Sequence, residues 1–251
     1  MKKSLLMGLI ALIATSLLAV ENPVNSILAT DNARLWFYTS AEKKIFYQQI
    51  FSQGLNVISD KVEEDKLKKG SWGVVFALDN TLIEHSWQVD GYPQKIESEP
   101  QVINLSATPG AKFTTCEIQK LGGKVIIISN RYLLLVDMAA QIQELEGTLA
   151  KLNICYDNII FAKNSLDSNK NPRFTAVATG DYEGVISSKK LPALNVIAYF
   201  GSDIIDFPNF KQNTAAYEAE SSDVLASFGE SYFLLPNPVH GSFETNRLKI
   251  N

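Results

Sequence analysis

"VVFALDNTL", residues 74–82, runs through Val74, Val75, Phe76, Ala77 and Leu78 without a polar break, then turns polar at Asp79-Asn80-Thr81. An unbroken apolar run, rather than an alternating one, suits a parallel strand covered on both faces. Gly73 to Leu78 therefore reads as a buried strand whose carboxyl end feeds a polar loop. Three further runs have the same character: "KVIIIS" (Lys124 to Ser129), "NIIFA" (Asn158 to Ala162) and "LNVIAYF" (Leu194 to Phe200). A last short strand fits "SYFLLP", Ser231 to Pro236.

Helical patterns lie between these runs. From Ser40 to about Lys66, Phe46, Ile50, Val57, Ile58 and Val62 recur at helical spacing, with Ser40 and Glu42 suited to the amino end and Gly70 beyond the carboxyl end. Thr108-Pro109 predicts an N-cap and first helical residue for a helix ending at Gly122-Gly123. Leu135, Met138, Ile142, Leu145, Leu149 and Leu152 step by three and four, the clearest amphipathic pattern in the chain. Another helix is expected to start after Asn171-Pro172 and to end near Gly180. Residues 84 to 106 read as a polar stretch containing Trp87 and Tyr92, which suit either base stacking or ordinary packing.

Strands alternating with helices predict an α/β fold with a mainly parallel sheet. Sites in such sheets lie at the carboxyl ends of the strands. There the sequence supplies Ala77-Leu78-Asp79-Asn80-Thr81, then Ser129-Asn130-Arg131, then Lys163 to Lys170, then Gly201-Ser202-Asp203-Ile204-Ile205-Asp206. Singly, such residues are ordinary turn formers. Together they mark one edge as functional.

The 251 residues carry 46% hydrophobic and 20% charged residues and a net charge of −4. That balance offers no electrostatic hold on a nucleic acid polymer. Lys2 and Lys3 precede an apolar run from Leu5 to Leu18, followed by Ala19, which is a signal-peptide pattern over residues 1–20. The run falls short of the ~20 residues of a spanning helix, so no stable membrane anchor is expected after cleavage. The mature chain would then carry 21 basic and 27 acidic residues, 21 − 27 = −6. Neither Cys116 nor Cys155 is near the apolar run, which excludes a lipid-modified amino-terminal cysteine. The two are expected to be small buried thiols, pairing in an oxidising compartment being the alternative.

The ordered segments resemble the haloacid dehalogenase (HAD) superfamily and, within it, the bacterial class C acid phosphatases, which include outer-membrane lipoprotein nucleotidases. "LWFYTSAEKKIFYQQIF" (35–51) is similar to the family's amino-terminal helix, and "VVFALDNTLIEHS" (74–86) to its first motif, Asp-x-Asp-x-Thr. "ATPGAKF" (107–113) and "VIIISNR" (125–131) resemble the approach to the second motif and the motif itself. "SNKNPRF" (168–174) resembles the third, and "YFGSDIIDFPNF" (199–210) the fourth, Gly-Asp-Asn-x-x-Asp-Phe. "FGESYFLLPNPVHGSFE" (228–244) resembles the closing segment. The resemblance implies a HAD-like Rossmannoid sheet with helices on both faces. It implies one domain over 21–251, with a helical extension at 35–70 and a core at 71–245.

The resemblance also implies Mg²⁺-assisted phosphomonoester hydrolysis through an aspartyl-phosphate, in the periplasm or outside the cell, on a small phosphomonoester or nucleotide. Carried over position by position, Asp79 is the acid/base and, through its carbonyl, a metal ligand. Ser129, Asn130 and Lys170 hold phosphate, Thr81 supports the loop, and Asp206 orients metal or water. Two positions depart from the pattern. Ala77 stands where the nucleophilic carboxylate belongs, and Ser202 where an acidic metal ligand belongs, with Asp203 one step late. An alanine methyl neither attacks nor ligates, so Mg²⁺ binding is expected to be weakened. A pseudophosphatase that retains phosphate or nucleotide binding is the favoured reading. The alternatives are an active Mg²⁺-dependent enzyme using a displaced carboxylate, a substituted form of an active enzyme, and a non-enzymatic secreted interaction protein. The signal peptide and the separate change at Ser202 speak against an introduced alanine.

Overall fold

The computed structural model describes residues 32–86, 104–208, 210, 226–239 and 241–244. The expected signal peptide, Trp87 and Tyr92 lie outside these residues. A helical run over 32–39 leads into helix α1, Ala41–Glu64, whose amino end is capped by Ser40 Oγ accepting from the Lys43 N–H at 3.0 Å. Strand β1 follows, Trp72–Ala77, buried at every residue. An antiparallel pair, β2 (Ile83–Ser86) and β3 (Asn104–Ala107), comes next. The remaining elements are α2 (Ala111–Leu121), β4 (Lys124–Tyr132), α3 (Met138–Lys151), β5 (Asn158–Ala162), α4 (Asn171–Thr179), β6 (Ile186–Ser187), β7 (Asn195–Gly201) and β8 (Tyr232–Leu234).

Six strands form one sheet in the order β6-β5-β4-β1-β7-β8. All pair in parallel except β6, which runs antiparallel to β5 at the edge. β1 lies between β4 and β7, which explains its continuous apolar sequence. Alternate residues then divide between two cores. Val74 and Phe76 face a core shared with Phe51 of α1, Ile118 of α2 and Leu149 of α3. Val75 faces the other core, with Ile126, Ile160 and Phe174 and Val177 of α4. The helices thus cover both faces of the sheet.

The close seat of α1 on the sheet has a specific cause. Phe51 and Phe76 flank Phe200 at ring-centroid distances of 5.4 and 4.8 Å, and Phe233 stacks on Phe200 at 4.8 Å. Gly54 admits the Phe200 ring, since a Cβ there would lie 2.3 Å from Phe200 Cζ. Burying each such aromatic contributes about 1.5–3 kcal/mol.

Several expectations are corrected. Thr108 does not cap α2; Gly110 does, at φ 94°, while the Thr108 hydroxyl donates to the Thr81 carbonyl. The amphipathic pattern runs ahead of its helix. α3 starts at Met138, and Leu135 lies in the preceding 3-10 turn with 86% of its surface exposed. The stretch read as polar, 84 to 106, holds most of β2 and β3, which pair across its two ends. Cys116 and Cys155 are half-buried and joined by a disulfide, with Cα atoms 4.9 Å apart. A gap of 39 residues concealed this, because β4 carries the chain back so that the turn after α3 meets α2.

Candidate active site

The parallel register brings the carboxyl ends of β1, β4 and β7 together. Ala77 is the Cα partner of Ile128, and Phe76 of Phe200, so the ends of β1 and β7, at Ala77 and Gly201, lie beside Ser129, where β4 runs past its last pair with β1. Asn80 then takes a left-handed φ of 57°, tightening the loop after β1. Tyr47 of α1 donates its hydroxyl to the Asn80 carbonyl at 2.8 Å. Burial pushes the Tyr47 phenol above its ordinary pKa, with Glu84 adding to the effect, so it serves as a neutral hydrogen-bond donor. The Thr81 hydroxyl is buried without a hydrogen-bond partner, so Thr81 supports the loop through its carbonyl.

Each acid of the edge already has partners. Asp79 accepts two bonds from Arg131, at 3.0 Å from Nε and 2.6 Å from Nη2. Two parallel donors on one carboxylate make the directional pairing that only a guanidinium supplies. Lys170 is buried, forms an ion pair with Asp206 Oδ1 and donates to the Ile128 carbonyl at 3.4 Å. Asp206 Oδ2 accepts from the Ser202 and Asp203 N–H groups at 2.9 and 3.0 Å. Gly201 is required for this placement, since a Cβ there would lie 2.2 Å from Asp206 Cβ.

Ser202 and Asp203 diverge. The Ser202 hydroxyl turns inward and donates to the Asp79 carbonyl at 3.3 Å. Asp203 turns away. It caps the 3-10 turn Ile204–Asp206 through the Ile205 N–H at 3.2 Å and accepts the Ser242 N–H at 2.7 Å and its hydroxyl. Ser129 is buried, and its hydroxyl accepts the Arg131 N–H at 3.0 Å. Asn130 is exposed, and its side-chain oxygen accepts from Arg173 at 3.0 Å.

Two residues given no role at the sequence level hold this edge together. Arg131 fixes Asp79. Arg173, in the first turn of α4 and only 3% exposed, donates to the Ser129 carbonyl, Asn130 Oδ1 and the Asp167 carbonyl. Burial pushes the Arg173 guanidinium below its ordinary value, opposed by Asp167 and Asp206. The only signals for them were their places inside "SNR" and "NPRF".

The donor set does not suit a magnesium ion. Mg²⁺ takes hard oxygen ligands in near-octahedral array, normally with one or two carboxylates. Of the four residues expected as ligands, Asp203 faces Ser242, Asp206 is paired with Lys170, and Ser202 and the Asp79 carbonyl bond to each other. Among the described residues, no three His, Cys, Asp or Glu side chains are grouped to hold a metal. Beside Ser202 and Asp203 opens an apolar cavity of about 630 Å³, lined also by Trp36, Phe46, Leu234 and Phe243.

No protein-family model matches the chain, and no curated protein does. Solved structures do match. The class C acid phosphatase from Bacillus anthracis is 22% identical, with TM-score 0.64 over 87% of this chain and 89% of that one. The class C acid phosphatase from Bacillus anthracis with tungstate bound is 21% identical, with TM-score 0.65 over 88% and 91%. This chain is built on the fold of the class C acid phosphatases.

Proposed function

We propose that this is an exported phosphatase-fold protein that binds a small phosphomonoester or nucleotide without hydrolysing it. The observation that carries the reading is Ala77, at the end of the central strand beside Ser129 and the Lys170–Asp206 pair. Phosphoryl transfer to the protein needs an oxygen nucleophile at that position, with a neighbouring acid to protonate the leaving oxygen. Asp79 is present for the second task, but a methyl group stands at the first. Removing a nucleophile costs several orders of magnitude in rate.

A displaced carboxylate is disfavoured because Asp203 is turned to Ser242 and Asp206 is held by Lys170 and two backbone N–H groups. Anion recognition would fall to Ser129, Asn130 and Lys170, the hydroxyl, amide and ammonium that suit phosphate oxygens. A tetrahedral oxyanion, tungstate, is bound in one of the solved structures of the Bacillus anthracis phosphatase that shares this fold. Magnesium, implied by the family resemblance, would be held weakly by so depleted a donor set. Export is supported by the Lys2-Lys3 and Leu5–Leu18 pattern and by the Cys116–Cys155 disulfide, which suits an oxidising periplasm or exterior. No helix of the described residues is long and apolar enough to cross a membrane.

A second reading, a secreted interaction protein with a relict site, draws on Leu134, Leu135 and Val136, which follow β4 and are 60%, 86% and 97% exposed. Calorimetric titration of the mature chain with inorganic phosphate and 5′-nucleotides separates the two. Saturable heat with no released phosphate is the expected result. Absence of both heat and thermal shift would leave the relict reading.

A further inference from the structure

Deepening that functional reading, and resting on it for the phosphate arm alone, we propose that this site works without a divalent cation because internal contacts replace it. The Ser202 hydroxyl joins the loop after β7 to the loop after β1 by donating to the Asp79 carbonyl at 3.3 Å. A shared cation would tether the same two segments through acidic ligands. Here a neutral hydrogen bond does so, and a neutral hydroxyl with a neutral carbonyl gives a hard dication little reason to shed its water.

The charges are balanced in the same self-contained way. Arg131 covers the Asp79 carboxylate in a two-bond pairing, and Lys170 covers Asp206. Both acids would have to give up an ammonium or guanidinium partner before serving a metal. The Lys170–Asp206 pair is the more committed, since both side chains are 5% exposed and Asp206 accepts two backbone N–H groups as well. Breaking such a buried pair exposes an uncompensated charge. Ala77 and Ser202 together remove two carboxylates from the cluster, and Asp203, the one acid there without a cationic partner in these pairings, is turned to Ser242. A phosphate entering beside Ser129 would meet Lys170 rather than a metal.

The test is thermal unfolding of the EDTA-treated mature chain. A ligand that binds the folded form raises the melting temperature with its concentration. Millimolar Mg²⁺, against an ionic-strength control, is expected to leave the melting temperature where EDTA leaves it. A saturable rise specific to Mg²⁺ would overturn the proposal. The variant Ala77→Asp/Ser202→Asp, its fold checked by circular dichroism, is expected to gain a saturable Mg²⁺-dependent rise. A folded variant with no such gain would show that these two positions are not what withholds the ion. Ser202→Ala guards against a misfolded double variant. It should melt lower by the same amount in Mg²⁺ and in EDTA, and a Mg²⁺-dependent recovery would overturn the proposal. Inorganic phosphate should shift the wild-type melting temperature equally in Mg²⁺ and in EDTA, and a shift confined to Mg²⁺ would contradict metal independence. If phosphate shifts nothing in either buffer, phosphate binding fails as a function, while the metal question is decided by the Mg²⁺ arm alone.

Discussion

Removing the Cys116–Cys155 disulfide should cost the protein a large share of its stability. The bridge closes a loop of 39 residues in sequence separation. Constraining such a loop in the unfolded chain lowers its entropy by about 13 cal/mol/K, or roughly 4 kcal/mol at 25 °C. For a chain of this size, 1 kcal/mol corresponds to roughly 2–4 °C of melting temperature, so the loss is about 8–16 °C. Cys116→Ala/Cys155→Ala, compared with oxidised and reduced wild type by far-ultraviolet circular dichroism, gives the measurement. Reduced wild type and the double variant should melt close together and well below the oxidised protein. Thiol titration of the unfolded, unreduced protein should find no free thiol. Two titratable thiols, or a melting temperature unchanged by the double substitution, would rule out the disulfide and restore the expectation of two unpaired cysteines.

Other consequences follow from individual contacts. Tyr47→Phe deletes the donor to the Asn80 carbonyl and the weaker bond to the Pro236 carbonyl at 3.3 Å, and should cost about 1–3 kcal/mol in urea unfolding. Gly201→Ala forces a Cβ against Asp206 and should cost about 1–3 kcal/mol while weakening phosphate binding measured by calorimetry. Burial pushes the Asp157 carboxyl up, but bonds from Lys124, the Val125 N–H and Gln119 outweigh it, leaving the pKa below its ordinary 3.8. A depressed carboxylate stabilises the fold above its unfolded pKa, and that stability is lost as pH falls through the folded value. Asp157→Asn should therefore melt below wild type at neutral pH, with the gap beginning to close as pH falls below about 4 and closing only below the depressed folded pKa.

How much could be read from the chain beforehand depended on how local each cause was. β1, β4, β5 and β7 were legible because strands covered on both faces leave continuous apolar runs, and β1 is covered by β4, β7 and two helical layers. α1 and α4 were legible through Ser40 at one end and Asn171-Pro172 with Gly180 at the other. Leu135 misled because helical spacing persists through the turn that precedes α3, where nothing packs over it. β6 has two residues and leaves no periodic signal.

The site divides along the same line. The alternation of strands and helices, which implies a parallel sheet, was enough to predict that Ala77, Asp79, Ser129, Lys170 and Asp206 would share one edge. The directions of their side chains are tertiary facts. Asp203 is turned by Ser242, 39 residues later, and Arg173 reaches Ser129 across 44. No local pattern in the sequence encodes either contact. The disulfide was hidden for the same reason, since its two cysteines meet only after β4 has crossed the sheet.

On the proposed reading, the absent carboxylate at the end of β1 should leave this protein without phosphatase turnover. Steady-state release of phosphate from p-nitrophenyl phosphate and 5′-nucleotides, at acid pH with Mg²⁺, tests it in parallel on wild type and Ala77→Asp/Ser202→Asp. Wild type should release no phosphate above the buffer, and the double variant should acquire turnover. Turnover by wild type at a rate within the usual enzymatic range, about 1–10³ per second, would show that hydrolysis survives without a carboxylate at Ala77.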